Sequence, residues 1–531
     1  MKIKFLSILI LGSLILSSCA SLSVAQFSEI DNETNEAINA SAIELSPAAT
    51  VANIVIDVSN AEPASDTPVT PYYPIVDTMQ SSCYGVSDET ACPSTVDAYF
   101  GQDAQYSGNQ ASYQDNGDGT VTDLVTGLMW QQDPGEKMTY EEAAAGADSF
   151  VLAGYDDWRL PTIKELYSLI LFDGQDVSTC PNGTCSAVPF IDTRYFHFQY
   201  GDISSGERAI DSQFASSTLY GSTTMNGEPT MFGVNFADGR IKGYGLHHGN
   251  QEKTFFVLYV RGGAGYGENR FVDQQDGTIQ DLATGLTWMQ SDSNSGMDWG
   301  DALAYCEDLS LAGHDDWRLP NAKELQSIVD YSRSPDITNS AAIDPIFNVS
   351  TITDEMGNAD YPYYWTGTSH VSSDGHTEGV YIAFGEAPGK MNGQWMDVHG
   401  AGAQRSDPKA GSAADFPDGR GPQGDAIRIN NYVRCVRAGE ATLTIDGITT
   451  ESRPSIQFES NGVTMNQTQP ATNQPGPQSG ATPPEAALQA CATSTQGDDC
   501  QFNTPVGEVS GTCQLIRQQL ACVPQNAGPN P

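Results

Sequence analysis

One long pattern occurs twice in this chain of 531 residues. The string DNGDGTVTDLVTGLMWQQD at 115–133 returns as DQQDGTIQDLATGLTWMQSD at 273–292, and AGYDDWRLPTIKEL at 153–166 returns as AGHDDWRLPNAKEL at 312–325. Each copy closes on the same apolar–basic pair, Val260-Arg261 or Val436-Arg437. Agreement over strings of this length within one chain indicates a duplicated domain.

Both copies predict the same order of secondary structure. Asp-Gly and Thr-Gly turns bound two short strands with alternating or apolar character. N-cap and capping-box patterns then predict four helix starts, at Thr139 with Glu142, Thr162 with Glu165, Asp298 with Asp301, and Asn321 with Glu324. We therefore expect an α+β fold in which two helices per copy pack against short antiparallel strands joined by long loops.

Composition divides the chain into six segments. They are a lipoprotein signal peptide at 1–19, a disordered tether at 20–73, the first copy at 74–265, the second copy at 266–440, a strand-like segment with a Pro/Gln/Thr-rich linker at 441–488, and a four-cysteine module at 489–531. The tether and the linker have little periodic apolar pattern, which is typical of chains that do not fold alone.

The first residues indicate export and a lipid anchor. Lys2 and Lys4 precede an apolar run that is too short to span a bilayer, so the segment reads as a signal peptide. Its end, Leu16-Ser17-Ser18-Cys19, resembles the lipobox of bacterial lipoproteins, which implies acylation of Cys19 and attachment to the membrane. Ala20 follows where an Asp would favour the inner membrane, so we expect an outer-membrane or cell-surface location. A plain secretory signal is the alternative.

The charge of the chain excludes one class of partner. With 67 acidic and 24 basic residues the net charge is −43. Nucleic acid binding needs cationic groups for the phosphates, so we expect no nucleic acid partner.

Eleven cysteines, one of them assigned to lipid, leave an even number for disulfides in an oxidising compartment. Spacing suggests the pairs Cys83–Cys92, Cys180–Cys185 and Cys306–Cys435, with two more within Cys491, Cys500, Cys513 and Cys522. The first copy has Ala147 and Tyr259 where the second has Cys306 and Cys435, so both cysteines of that pair are absent together. Their bond would close a long loop and stabilise the fold by roughly 4–5 kcal/mol.

The strings TGLMW, WRLP and the terminal VRCVR resemble the Lcl C-terminal domain family over roughly residues 74–440. WRLP with its capped helix is also similar to the RLPTEAEW region of formylglycine-generating-enzyme-like proteins, which implies a C-type-lectin-like fold for each copy. The founding member of the family is an adhesin that binds sulfated polysaccharides. Because a strongly negative chain suits polyanions poorly, the resemblance implies surface recognition without that ligand. The last four cysteines resemble small disulfide modules of exported proteins.

The second copy has a long polar loop that the first lacks, since Val436 follows Phe384 by 52 positions and Val260 follows Phe236 by 24. Its candidate ligand-binding residues are Asp397, His399, Arg405, Asp407 and Asp425, with Asp418 and Arg420 beside them. Mixed Asp, His and Arg on a Gly-rich loop suit sugar hydroxyls, a carboxylate or a cation. The alternative is a structural loop held by its own hydrogen bonds.

Two other sets of residues are interpreted as structural. Trp158-Arg159 and Trp317-Arg318 are expected to be a buried Trp and an Arg paired with a neighbouring Asp, from Asp156, Asp157, Asp315 and Asp316. Hairpin turns explain Asp115, Asp118, Asp123, Asp273, Asp276 and Asp281, with a calcium site as the alternative. No other cofactor is expected, and a metal remains unassigned.

The functional prediction is a lipid-anchored surface recognition or adhesion protein whose ligand is a carbohydrate or a protein. Its other partner is the membrane, through lipid on Cys19. Catalysis has little support, because the sequence has no GxSxG motif and the cysteines are all assigned. An enzyme of the formylglycine-generating type and a structural envelope lipoprotein are the two alternatives.

Overall fold

A computed structural model of the chain describes residues 73–459, apart from 181–183, 226, 264, 446 and 448–449, together with parts of 490–524. The expected signal peptide, nearly all of the tether and the Pro/Gln/Thr-rich linker lie outside the described residues. The described residues belong to one compact unit, Pro68–Pro531. Among them, no helix is both long and apolar enough to cross a membrane.

Five short α-helices occur in the described part of the chain, and the first four begin at the predicted residues. They are α1 (Tyr140–Ala147), α2 (Ile163–Ser168), α3 (Trp299–Glu307), α4 (Ala322–Ser327) and α5 (Pro335–Thr338). Thr139, Thr162 and Asn321 each form a complete capping box, whereas Asp298 accepts the Asp301 N–H without the reciprocal bond. Side-chain caps satisfy N–H groups that a helix start leaves unpaired, so they fix where these helices begin.

The first copy and the residues before it form mostly short strands. In chain order these are β1 (Cys83–Tyr84), β2 (Glu89–Thr90), β3 (Tyr106–Ser107), β4 (Tyr113–Asp115), β5 (Thr120–Asp123), β6 (Met129–Gln131), β7 (Met138–Thr139), β8 (Thr184–Ala187), β9 (Gln213–Thr224), β10 (Glu228–Asn235), β11 (Arg240–Gly245), β12 (His247–His248), β13 (Gln251–Glu252), β14 (Thr254–Phe255) and β15 (Val260–Arg261).

The second copy repeats this order with one longer loop. Its strands are β16 (Phe271–Asp273), β17 (Thr278–Asp281), β18 (Leu286–Met289), β19 (Ile352–Thr353), β20 (Ala359–Asp360), β21 (Tyr363–Val371), β22 (Thr377–Ala383), β23 (Pro388–Met391), β24 (Gln394–Asp397), β25 (Gln404–Asp407) and β26 (Val436–Ala438). After it come β27 (Thr442–Leu443), β28 (Ile456–Glu459), β29 (Asp499–Thr504), β30 (Gly507–Ile516) and β31 (Gln519–Pro524). Antiparallel strands with few helices confirm the predicted α+β composition.

Each copy builds one small antiparallel sheet from the repeated strings, in the order β4-β5-β6-β15 or β16-β17-β18-β26. Val121 lies opposite Trp130 in the first sheet, as Ile279 lies opposite Trp288 in the second. The closing Val-Arg strand pairs with the TGLMW-type strand in both. The two repeated strings and the terminal pair therefore form one structural element.

The largest sheet is shared by the two copies. Its order is β21-β22-β25-β11-β10-β9, with three strands from each copy. The halves meet where β11 pairs with β25, at Ile241 opposite Gln404. Corresponding strands lie at equal distances from this junction, so the sheet has an approximate twofold symmetry. The predicted boundary at residue 265 separates the copies in sequence, but a continuous sheet joins them in the structure.

The hydrophobic core on one face of this sheet is also shared. A single cluster of buried side chains includes Leu166, Ile170 and Phe236 from the first copy and Leu325 and Phe384 from the second. The helices α2 and α4 contact both the sheet and each other on this side. Burial of apolar surface stabilises the fold by roughly 25 cal/mol per Å², so the packing of each copy contributes to the stability of the other.

The opposite face carries two separate apolar clusters, one for each copy. Ala143 of α1 packs with Trp158 and Tyr259 in the first copy. In the second copy Trp299 of α3 packs with Trp317. The region between these two clusters contains the charged residues that are described below.

The residues after the second copy return to the first. Strand β27 pairs with β3, and β28 pairs with β8. The buried Arg453 forms an ion pair with Asp173 and donates to the Pro189 and Ile191 carbonyls. The strand-like segment predicted at the start of 441–488 therefore corresponds to β27 and β28, which pair with strands of the first copy.

Two of the pairs that spacing indicated are disulfides in the structure, and the pairing of Cys180 with Cys185 stays a prediction. Cys83–Cys92 closes the β1–β2 hairpin, and Cys306–Cys435 joins α3 to the residue before β26. In the last module Cys491 is bonded to Cys513. Cys180 and Cys500 are also disulfide-bonded, and the side chains of Cys185 and Cys522 lie outside the described residues.

Candidate functional site

The repeated Trp-Arg pair is structural, but the partner of its arginine differs from the prediction. Trp158 is buried, as expected. Arg159 binds both carboxylate oxygens of Glu165, and Arg318 binds both oxygens of Glu324 in the same way. Each glutamate is also the capping-box residue of its helix, so one carboxylate fixes both the arginine and the helix start.

The expected pairing of these arginines with a neighbouring Asp is wrong. Asp157 and Asp316 instead bind Arg261 and Arg437, the arginines of the closing strands. The planar guanidinium meets a carboxylate through two parallel bonds, and the glutamate six residues further along, in the first turn of the following helix, offers that geometry to the WRLP arginine. The aspartates tie the WRLP element to the strand beside it.

The aspartates of the hairpin turns bind their own backbone. Each accepts the N–H two residues further along the chain, in Asp115, Asp118, Asp123, Asp273, Asp276 and Asp281. This is the bonding of an Asx turn. A calcium site stays a prediction. Within the described residues, the one group of three potential metal ligands is Cys491, Cys500 and Cys513, and all three are disulfide-bonded.

Asp397 ends β24 and holds the backbone that follows. Its carboxylate accepts the Gly400 N–H at 2.9 Å and the Tyr220 hydroxyl at 3.1 Å. Burial raises the pKa of Asp397 to about 6. The bond to Tyr220 connects this hairpin of the second copy with β9 of the first.

Three of the five candidate residues meet in the structure. His399 Nε2 lies 2.8 Å from Asp425 Oδ1, and Arg405 forms an ion pair with the same carboxylate. His399 is 2 % exposed, and burial, with the neighbouring charges of Arg405 and Lys242, lowers the pKa of His399 well below its usual value. The neutral ring therefore donates from Nε2 to the carboxylate, which can only accept.

Charged residues of the first copy surround this group. Arg240 pairs with Asp176 at 2.6 Å, and Lys242 pairs with Asp238 at 2.8 Å. Burial lowers the pKa of Lys242 to about 8. Arg405 Nη1 and Asp238 Oδ1 have no hydrogen-bond partner among the described residues. The cluster thus spans the junction of the two copies in the shared sheet.

Asp407 lies apart from that cluster and binds the end of the long loop. It is fully buried and accepts the N–H groups of Arg428 and Ile429 at 3.0 Å and the Asn431 amide at 3.1 Å. Burial raises the pKa of Asp407 to about 6. Of the remaining loop residues, Asp418 pairs with Lys390 and Arg420 with Glu378.

These contacts show what the predicted loop residues do within the fold. Most of their polar atoms bind one another or the backbone, as the structural alternative requires. Their role in ligand binding stays a prediction that no contact described here tests.

An open cavity lies elsewhere, between the first copy and residues 328–331 and 344 of the second copy. It has a volume of about 840 Å³, within the range of roughly 300–1,000 Å³ that is typical of ligand sites. Tyr140, Asp148, Arg159 and Thr218 line one side, and the segment 265–271 that joins the copies lines another. We call this space the open cavity.

Lys164 closes the floor of the open cavity. Its ammonium donates to the carbonyls of Gly267 and Ser327 and to the side chain of Asn269, at 2.7–3.0 Å. Burial lowers the pKa of Lys164 to about 8. In the second copy Lys323 donates to the carbonyls of Asp77 and Ser168, so the two lysines cross-link the copies reciprocally.

The corresponding surface of the second copy is filled by residues 99–107 of the chain, which we call the covering segment. Asp103 accepts the Thr368 hydroxyl at 2.6 Å. The Tyr106 hydroxyl donates to Glu307 at 2.7 Å, and its ring lies 5.3 Å from the Arg318 guanidinium. The side chain of Arg318 is 5 % exposed, whereas that of Arg159 is 39 % exposed.

The open cavity was not predictable from motifs, because Arg159 has a structural interpretation and Tyr140, Asp148 and Thr218 belong to no recognisable pattern. A signal was present in the segments before the two copies. About forty residues, 73–112, precede the first repeated string, whereas about ten, 262–271, precede the second. A longer segment before one copy can cover a surface that the shorter one leaves open.

Comparison with known proteins identifies the repeated domain. A family model, the Lcl C-terminal domain, matches residues 119–261 and 277–437, which together exceed half of the chain. No curated protein and no solved structure matches the chain. The chain therefore belongs to the Lcl C-terminal domain family and carries two tandem copies of its domain.

Proposed function

We propose that the chain is a lipid-anchored cell-surface recognition or adhesion protein with a C-type-lectin-like fold in each copy. Its ligand, a carbohydrate or a protein, binds in the open cavity. The observation that carries the proposal is the contrast between two equivalent surfaces, one covered by the chain and one open, with Arg159 and Thr218 accessible. Accessible arginine and hydroxyl groups in a concave site suit recognition of a polar ligand.

The state of the cysteines supports recognition over catalysis. An enzyme of the formylglycine-generating type uses a cysteine pair in a pocket. Cys306 and Cys435 are bonded to each other and fully buried in the apolar cluster of the second copy. A buried structural disulfide is a poor nucleophile, because the thiolate is the reactive species.

Binding is tested with the full chain in detergent, on arrays of glycans and of extracellular proteins. Ala144 is exposed on α1 and lines the open cavity, whereas Ala145 is exposed on the same helix and does not line it. Ala144→Trp is expected to abolish binding of the ligand that the arrays identify, and Ala145→Trp to preserve it. Equal binding by both variants would place the site elsewhere, for example on the long loop.

The anchor is tested separately in cells. Cys19→Ser removes the thiol that would carry the lipid, and we expect the protein to move from the membrane fraction to the soluble fraction. Incorporation of labelled fatty acid is expected for the wild type alone. A variant that stays in the membrane fraction would contradict the anchor.

A further inference from the structure

The two copies present the same chemical groups at the open cavity and beneath the covering segment. Thr218 Oγ1 accepts the Ile163 N–H at 3.0 Å, and Thr368 Oγ1 accepts the Ala322 N–H at 2.9 Å. The preceding residue of each strand donates to the proline carbonyl of WRLP, at 2.7 and 2.8 Å. The surfaces therefore correspond residue by residue, including the direction of their hydrogen bonds.

The covering segment shows what this surface binds. Its contacts are a carboxylate on the threonine hydroxyl, through Asp103 and Thr368, and a phenol that donates to the helix carboxylate Glu307. The ring of the same tyrosine lies over the arginine. A second ring, Tyr99, stacks on Trp299 at 6.0 Å. Together these contacts bury Arg318 and Thr368 almost completely.

The first copy has the corresponding groups, and no described residue occupies them as the covering segment occupies the second copy. Asp148 corresponds to Glu307, Tyr140 to Trp299 and Arg159 to Arg318. The Thr218 hydroxyl has no acceptor among the described residues, and Asp148 is exposed. The short segment 265–271 reaches Lys164, as Asp77 reaches Lys323, and contains no counterpart of residues 99–107.

We propose that the open cavity binds a tyrosine-containing segment of a partner protein, in the manner in which the covering segment, with its 3-10 turn at Asp103–Gln105, binds the second copy. The tyrosine ring lies over Arg159 and its hydroxyl donates to Asp148. An acceptor three residues earlier takes the Thr218 hydroxyl. This inference rests on the proposed function and narrows its ligand to a protein.

The lining of the cavity agrees with a phenol as the anchoring group. The ion pair with Glu165 compensates the charge of Arg159 and leaves the face of its guanidinium group free to contact an aromatic ring. Asp148 and Glu268 on the rim disfavour a second anion there and favour an uncharged donor. One position differs: Ser217 stands where the second copy has Gly367, and a Cβ at Gly367 would lie 3.2 Å from the Asp103 backbone nitrogen. The backbone of the ligand therefore has to lie slightly further from the strand in the first copy.

The test uses a labelled, end-capped peptide with the sequence of residues 97–109, DAYFGQDAQYSGN, and fluorescence anisotropy with the full chain in detergent. We expect saturable binding to the wild type and to Ala145→Trp, and none to Ala144→Trp. A peptide that does not bind, or that binds Ala144→Trp as well as the wild type, overturns the inference.

Asp148→Ala provides a second variant that leaves the interior unchanged. Replacing the tyrosine at position 106 of the peptide by Phe is expected to weaken binding to the wild type about tenfold, the value of a hydrogen bond to a charged group. The same replacement is expected to have no effect on Asp148→Ala. Equal losses on both proteins would show that the hydroxyl binds elsewhere. If the peptide fails but an array ligand is lost in Ala144→Trp, the proposed function stands and this inference alone falls.

Discussion

Arg159 and Arg318 occupy the same position in the repeat, and each binds the capping-box glutamate of its own copy, but only Arg318 is covered. The cause lies outside the repeat, in the Tyr106 ring that lies over Arg318. The repeated string therefore gives both arginines the same kind of ion pair, but it does not determine whether the arginine is exposed. For the same reason the open cavity could not be derived from the WRLP motif itself.

Asp103, the carboxylate of the covering segment, makes the second copy sensitive to pH. Burial, and secondarily the charge of Asp77, raise the pKa of Asp103 from 3.8 to about 7. Because the folded state binds this proton more tightly, Asp103 contributes stability that is complete below about pH 4 and is lost as the pH rises through about 7. We expect Asp103→Asn, which cannot ionise, to lack this loss. In urea unfolding of the wild type, we expect the free energy of unfolding to fall by on the order of 2–4 kcal/mol between pH 4.5 and 8 through this titration.

A contrasting variant separates this titration from packing. Thr368→Val removes a hydroxyl that donates to the Asp103 carboxylate and lowers its pKa. That pKa is expected to rise further, so in Thr368→Val the loss of stability continues to a higher pH, whereas Asp103→Asn removes the loss. Parallel pH profiles for the wild type and Asp103→Asn would contradict the assignment.

Helix and strand boundaries were predictable wherever a local signal determines them. The capping residues Thr139, Thr162 and Asn321 begin helices at the predicted positions, and the Asp-Gly turns join the predicted strands. The pairing of β11 with β25 was not predictable, because it joins residues far apart in sequence and no local pattern marks it. The same is true of the covering segment, whose partners lie more than 200 positions away.

The disulfide between α3 and β26 is expected to stabilise the second copy more than the hairpin disulfide does. Cys306–Cys435 closes 129 residues and Cys83–Cys92 closes 9. In the chain-entropy model these loops correspond to about 5 and about 3 kcal/mol. Replacing each pair by Ala and measuring the free energy of unfolding is expected to give losses in that order. Ala147 at the first-copy counterpart of Cys306 shows that the helix accepts the smaller residue.

If removal of Cys83–Cys92 lowered the free energy of unfolding more than removal of Cys306–Cys435, the hairpin disulfide would have a role beyond closing its loop. Cys83 and Cys92 lie before the covering segment, so their removal could release that segment as well. Hydrogen exchange of residues 99–107 in the Cys83→Ala/Cys92→Ala variant separates the two effects. Unchanged protection there would assign the whole loss to the loop.

At the scale of the whole molecule, duplication has produced one folding unit with two unequal surfaces. The copies share a six-stranded sheet and a continuous core. The segment that precedes each copy in the chain binds a lysine of the other copy, through Asp77 and Lys323 or through Gly267 and Lys164. Symmetry in the core and asymmetry at the surface have different origins. Core positions are constrained by packing in both copies, whereas the length of the preceding segment is free to differ.

A shared core predicts that damage to one copy destabilises the other. Leu166 is fully buried in the first copy, and its replacement by Ala is expected to cost about 2–5 kcal/mol. Because the same cluster contains Leu325 and Ile328, we expect hydrogen exchange to accelerate equally in α2 and α4. Val151→Ala, at a position that is 64 % exposed, is the matched control and is expected to change neither helix. If protection in α4 survived Leu166→Ala while α2 lost it, the copies would unfold independently, and the sheet junction at Ile241 and Gln404 would be the weak point at which they separate.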